Sequence, residues 1–297
     1  MSIDKIEILS VELLDRHRNI VNALWKVSRA TRVELGWHYL LDLSWIVENL
    51  GAVTGKRILD AGAGMGLMQW FLIEQGAEEV VSADRTSRAA LPLVMRSRYN
   101  VRGLRPSDLD SSQIVFRGNI RRESGAAKAV HLMRGLVGLA MSAMPKRFTG
   151  QVMIYNQDLA NMPEIADNSL DAVVAVSALE HNAPDGLQKV VTEITRKLKP
   201  GGKLLATLSA GRDNDWFHEA SKGWCYTDAS LRRFFDLPTD TPSNYSCYDE
   251  LLASLQNCKE LKDKLARMYY QSGDNGMPWG KWDPQYQPVG VCKIKPM

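Results

Sequence analysis

The 297-residue chain is poor in cysteine, with four, Cys225, Cys247, Cys258 and Cys292, all in the last third and none paired as C-x-x-C. That spacing excludes a zinc ribbon and a disulfide scaffold, which need tighter, repeated pairs. Long apolar runs are missing too. The stretch of interest, Gly135 to Met144, is far short of the ~20 residues that span a bilayer. The opening Met1-Ser-Ile-Asp-Lys-Ile-Glu lacks the basic-then-apolar layout of a signal peptide. A soluble, reduced, cytoplasmic protein is therefore expected. Net charge is small, +3, and no repeat or low-complexity tract occurs. With 45% hydrophobic and 24% charged residues, the chain has enough apolar surface to exclude disorder.

What is present is a βαβ rhythm. Val11, Leu14, Val21, Leu24 and Trp25 recur near a 3.6 period, as do Leu40 to Leu50, so residues 10–50 read as helices closed by Gly51. Arg57-Ile-Leu-Asp60 and Val80-Val-Ser-Ala-Asp84 are short apolar runs ending in acids, with glycines and a helical stretch between them. Further strands are expected at 151–155, 171–176, 203–208 and 289–294, with a helix at 186–198 and a turn at Lys199-Pro-Gly-Gly202. The fold class is α/β, a doubly wound, mostly parallel sheet. Three parts are expected: a helical cap at 1–55, a core at 56–98 and 151–297, and a basic insert at 99–150.

Glycines 62, 64 and 66 follow the first of these strands as G-x-G-x-G, one residue tighter than the dinucleotide G-x-G-x-x-G. Lacking Cβ atoms, they let the backbone turn sharply and approach a ligand. Asp84 ends the next strand, where a carboxylate can accept both ribose hydroxyls. Asp158-Leu159 follows the strand at 151–155, and Val176-Ser-Ala-Leu-Glu-His181 ends the strand at 171–176. Asp158 could accept from an adenine amino group.

This ordered set resembles the class I S-adenosylmethionine-dependent methyltransferases. The resemblance runs over about 56–209 without the insert and includes Leu198-Lys-Pro-Gly-Gly-Lys-Leu-Leu205. It implies a Rossmann-like fold and S-adenosylmethionine as cofactor. Asp60 would stand near the methionyl amine, Gly62, Gly64 and Gly66 would pass beneath the cofactor, and Asp84 with its neighbour Arg85 would lie at the ribose. Asp158 and the Leu159 backbone would hold the adenine, and Ser177 would lie beside the transfer channel. Ala63 stands where the family often has a cysteine.

His181 lies in the right region for a general base. Asp213-Asn214-Asp215, with Glu180 or Asp185, could make an oxygen-rich magnesium site, but plain turn chemistry is the favoured reading, and no metal is expected. The expected acceptor is the O or N of a small molecule, sugar-containing or anionic. A lipid-linked acceptor, an RNA and a catalytically silent cofactor-binding protein are the alternatives. No nucleic-acid partner is expected, because no Asn/Asp-Pro-Pro-aromatic turn follows the strand at 171–176 and no Pro-Cys or Thr-Cys nucleophile occurs. Oligomeric state is not readable.

Charge is uneven. From Arg85 to Arg147 there are thirteen Lys and Arg against three acids, a surplus of ten that leaves the rest of the chain seven negative. Within it, 126–144 is an amphipathic helix with Ala129, Met133, Leu136, Ala140 and Met144 on one face. Lys128, His131, Gly135, Gly138 and Ser142 line another. The expectation is a lid helix packing its apolar face on the domain; membrane-surface contact through 126–144 is the alternative. Near the C-terminus, Trp279 and Trp282 among glycines and prolines could cap an acceptor pocket or pack on the core.

Overall fold

The computed structural model describes residues 4–121, 125–266, 277 and 281–297, less the side chains of 119, 121, 125–131 and 134. Its strands are β1 (Lys5–Ile8), β2 (Arg57–Ala61), β3 (Glu79–Asp84), β4 (Asn100–Gly103), β5 (Gln151–Asn156), β6 (Leu170–Val176), β7 (Leu198–Ala210), β8 (Trp216–His218), β9 (Gly223–Tyr226) and β10 (Gln287–Ile294). They form one sheet in the order β1-β10-β7-β6-β2-β3-β5-β4, with the β8–β9 hairpin attached at the end of β7. Strands β4, β5, β3, β2, β6 and β7 are parallel, and β10 runs antiparallel between β7 and β1.

Alternation along the strands explains the layers. Ile58, Val80, Val152, Val174 and Leu205 face one side, where the helices Arg18–Thr31 and Tyr39–Leu50 supply Val21, Leu24, Leu41 and Trp45. Leu59, Val81, Val173 and Leu204 face the other, covered by Leu187, Val190, Val191 and Ile194 of helix Pro184–Lys197. Because both faces are covered, the central strands are buried throughout and read as nearly continuous apolar runs. Gly51 ends its helix at φ 70°.

Four findings differ from the sequence reading. Residues 5–8 form β1 on the sheet edge, pairing Ile6 with Val291 and Ile8 with Val289. The Lys199–Gly202 turn is absorbed into β7 as a register shift against β6, with the Gly201 N–H bonding the Lys295 carbonyl at 2.9 Å. The insert begins by adding β4 to the sheet beside β5.

The fourth difference is in the helix Gly125–Ser142. Gly135 and Gly138 face the protein. A Cβ on Gly135 would lie 2.6 Å from the Phe116 ring, and one on Gly138 3.3 Å from Leu93. Leu132, Met133, Leu136, Val137 and Met141 are exposed, as is Met144 just beyond the helix end. The expected lid packing is thus reversed, since glycines allow a closer approach than the bulky face would. Trp282 packs edge-on against Trp37 and donates to the Gln256 carbonyl at 2.9 Å. Trp279 lies outside the described residues.

Candidate cofactor and acceptor site

The sheet order reverses between β2 and β6, whose carboxyl ends leave a crevice of the kind in which open α/β sheets bind ligands. The glycine turn after β2 is fastened to the next strand: the N–H groups of Gly62 and Ala63 both donate to the Ala83 carbonyl, at 2.9 and 3.0 Å. Gly62 has φ 74°, and a Cβ there would lie 2.4 Å from the Cβ of Ala178. Any side chain would push β2 and β6 apart at the crevice. Gly64, at φ 46°, points its N–H at Asp84 Oδ2, 2.8 Å away. Asp84 Oδ1 accepts from the Thr86 N–H at 2.7 Å, so two backbone donors orient this carboxylate.

Two cavities meet at this turn. One, of about 260 Å³, is lined by Gly62, Asp84, Arg85, Asp158, Leu159, Ser177 and His181, with Thr86, Ala178 and Asn182. The other, of about 230 Å³, is lined by Asp60, Gly62, Gly64, Gly66 and Ser177. Gly62 and Ser177 belong to both. All the site residues expected from the sequence are therefore brought to one crevice. The second cavity also takes Val33, Glu34, Leu35 and Tyr39 from the N-terminal segment, and Met65 from the turn, none of which the sequence singles out.

Asp60 is only 2% exposed. Burial pushes its carboxyl up to about 7, although the Arg88 guanidinium and the Gln69 backbone hold it down. Arg88 is the principal residue missed from sequence, where it counts only as part of the basic surplus. It is buried beneath the turn and donates to the Gly64 carbonyl at 3.3 Å, to the Ser82 hydroxyl, and to the Ser82 carbonyl at 2.5 Å. Gln69 donates to the Gly66 carbonyl at 2.8 Å and accepts from Ser82, linking the turn to β3. Neither residue carries a local sequence signal, since a buried arginine and a surface arginine read alike.

The β6 end carries the remaining polar groups. Ser177 sits at φ 45° and donates through Oγ to Glu180 Oε1 at 2.6 Å. Glu180 is buried and its Oε2 has no hydrogen-bond partner; burial raises its carboxyl above the usual range, against the opposing field of His181. His181 Nδ1 lies 3.0 Å from the Lys222 carbonyl. A carbonyl only accepts, so Nδ1 carries the proton in that bond, and in the neutral ring Nε2 is the nitrogen with the lone pair. Asp158 Oδ1 accepts from the Ala160 N–H at 2.8 Å, in an exposed turn on the cavity wall.

The acids after β7 serve the fold. Asp215 accepts from the Thr227 N–H at 2.8 Å and from the hydroxyls of Thr227 and Ser230, holding the start of helix Asp228–Phe234. Among the described residues no group of three or more His, Cys, Asp or Glu is placed to hold a metal.

Residues 121–206 match the Methyltransferase domain family, a stretch from the insert through β5 and β6 into β7 that lies beyond the glycine turn. No curated protein is significantly similar to the chain in sequence. Among solved structures, a phosphoethanolamine N-methyltransferase 2 of Haemonchus contortus, in complex with phosphomonomethylethanolamine and S-adenosylhomocysteine, is 15% identical, with a TM-score of 0.44. The alignment spans 96% of this chain and 60% of that one. A geranyl diphosphate C-methyltransferase of Streptomyces coelicolor A3(2) is 12% identical over 85% of this chain and 77% of its own, at a TM-score of 0.40. The [4+2]-cyclase SpnF is 15% identical over 93% and 82%, at 0.41.

The sheet with its glycine turn is of the Rossmann-like type that binds nucleoside cofactors at the strand ends. A methyltransferase domain match over residues 121–206 lies on this sheet, from the insert into β7. The crevice has parts that suit S-adenosylmethionine, the cofactor implied by the sequence resemblance: an oriented carboxylate in one cavity, a buried acid in the other, and a glycine between them.

Proposed function

We propose that the chain methylates an O or N atom of a small-molecule acceptor, with His181 as the general base. The observation that carries this reading is the Nδ1 bond from His181 to the Lys222 carbonyl, which leaves Nε2 as a proton acceptor on the wall of the Asp84 cavity. When bound, S-adenosylmethionine supplies a methyl group on a sulfonium. The chain's residues hold and orient the reactants. Asp84 accepts the ribose hydroxyls, Asp158 and the Leu159 backbone receive the adenine, and Asp60 receives the methionyl amine. Arg85 borders the ribose end. Ser177, shared by both cavities, lies beside the path between donor and acceptor. Holding the two in line supplies most of the rate, and proton removal at Nε2 raises the nucleophilicity of a hydroxyl or ammonium acceptor.

The test is turnover of S-adenosylmethionine against a panel of hydroxyl and amine acceptors. His181→Asn is expected to lose about 100-fold or more in turnover with cofactor affinity unchanged. Full turnover by the variant across pH would remove the base assignment. A lipid-linked acceptor is the second reading, favoured by the outward apolar face of the helix Gly125–Ser142.

A further inference from the structure

The helix Gly125–Ser142 is built inside out for a part of a water-exposed domain. Gly135 and Gly138 meet Phe116 and Leu93, and Ser142 lies within 3.4 Å of the Ser112 hydroxyl. Thus the small residues pack inward, onto helices Ser112–Arg121 and Leu93–Arg98. On the opposite side, Met133 is 71% exposed, Val137 56% and Met144, past the helix end, 61%, with Leu136 and Met141 between them. These positions recur every three or four residues and form one continuous stripe. Ile114, from the neighbouring helix, is also exposed. Scattered apolar residues on a surface need no explanation, but a continuous stripe of large ones marks a contact surface.

Charge selects the occupant. Residues 111–150 contain seven Lys and Arg and a single acid, Glu123, a surplus of six over forty residues. Arg117 and Arg147 are exposed, and Lys146 caps the helix end through the Met141 and Ser142 carbonyls at 3.1 and 2.7 Å. Elsewhere in the basic region Arg88 and Arg96 are buried against carbonyls, Arg98 pairs with Glu74 and Arg105 with Asp108, while Arg85 and Arg102 are exposed. By sequence, a surplus of six cations thus falls on the same segment as the apolar stripe. An apolar stripe flanked by cations suits a surface that is apolar within and anionic at its rim. Among the described residues no helix is long and apolar enough to cross a membrane, so the contact is lateral.

We propose that the helical hairpin 112–142 docks the enzyme on anionic lipid bilayers, with Met133, Leu136, Val137, Met141 and Met144 entering the interface and Arg117, Lys146 and Arg147 meeting the headgroups. The proposal goes beyond the acceptor reading and does not rest on it. The test is flotation of the full chain with phosphatidylcholine vesicles, with and without 30% phosphatidylserine. Binding is expected only with phosphatidylserine, falling about tenfold or more in 0.5 M salt. The double substitution Met133→Asp with Val137→Asp, and separately Arg117→Glu with Arg147→Glu, should each weaken binding at least tenfold. Both variants should keep wild-type circular dichroism and S-adenosylmethionine affinity in calorimetry. Absence of flotation, or equal binding to neutral vesicles, overturns the proposal. So does a dimer in light scattering that the Met133/Val137 change dissolves, because a second copy would then cover the stripe. Salt-sensitive RNA retention without vesicle binding overturns it as well. Loss of vesicle binding by wild type with intact cofactor binding would leave the methyl-transfer reading standing.

Discussion

Replacing Asp60 by asparagine separates folding from cofactor binding. The carboxyl is buried and held near 7, against about 3.8 in an unfolded chain. Between these values the folded state binds the extra proton, so free-protein stability falls as pH rises from about 4 to 7. The full cost of ionising it is about 4 kcal/mol, at 1.36 kcal/mol per pH unit. Asparagine carries no such cost but buries an amide, so the net gain at pH 8 should be about 2–4 kcal/mol. At pH 4.5, where the folded carboxyl is neutral and only about 1 kcal/mol of that cost is present, the gain should shrink to about 1 kcal/mol or less. Urea unfolding at the two pH values reads this directly. Binding should change oppositely. In the proposed site an ionised Asp60 would pair with the methionyl amine, and losing a charged hydrogen bond of about 1.5–3 kcal/mol should weaken affinity roughly 10- to 150-fold at pH 8. Wild-type affinity should itself fall about 25-fold from pH 7.5 to 5.5, because the proton must leave before the amine docks. A variant that binds S-adenosylmethionine as wild type does, or a flat wild-type profile over that window, would refute the reasoning.

Gly62→Ala places a Cβ 2.4 Å from Ala178 at a φ of 74°, so it should cost about 1–3 kcal/mol from backbone strain alone, with cofactor affinity reduced beyond detection in calorimetry. A variant of wild-type stability and affinity would show that the close approach of the two strand ends does not depend on this glycine. Arg88→Met removes the cation beneath the turn and leaves its acceptors, and Asp60, without it. A loss of about 3–5 kcal/mol in urea unfolding is expected. A loss below 1 kcal/mol would mean that Arg88 does not hold the turn.

The parts legible in the sequence are those with strong local signals. Strands β2, β3, β5 and β6 are apolar runs bounded by turns, and Gly62, Gly64, Asp84 and His181 sit at their ends, so order along the chain places them together. β1 escaped because four residues, Lys-Ile-Glu-Ile, are too short a period to stand out, and its pairing partner lies some 280 residues away. Arg88 escaped because burial of a cation depends on the carbonyls folded around it. The 125–142 helix shows how far periodicity reaches: it separates two faces correctly but does not say which turns inward. That choice is made by Gly135 and Gly138, which admit Phe116 and Leu93 at distances the bulky face could not. The lining contributed by Val33, Leu35 and Tyr39 is purely tertiary.

The claim that matters most is that the two cavities on either side of Gly62 form one S-adenosylmethionine site with Asp84 at the ribose. Calorimetric titration of wild type and Asp84→Ala with S-adenosylmethionine tests it. One site per chain and a loss of about 100-fold in the variant are expected, from two hydrogen bonds to a charged acceptor at roughly 1.5 kcal/mol each. Equal affinity in the two proteins, or no binding to the wild type, would contradict it.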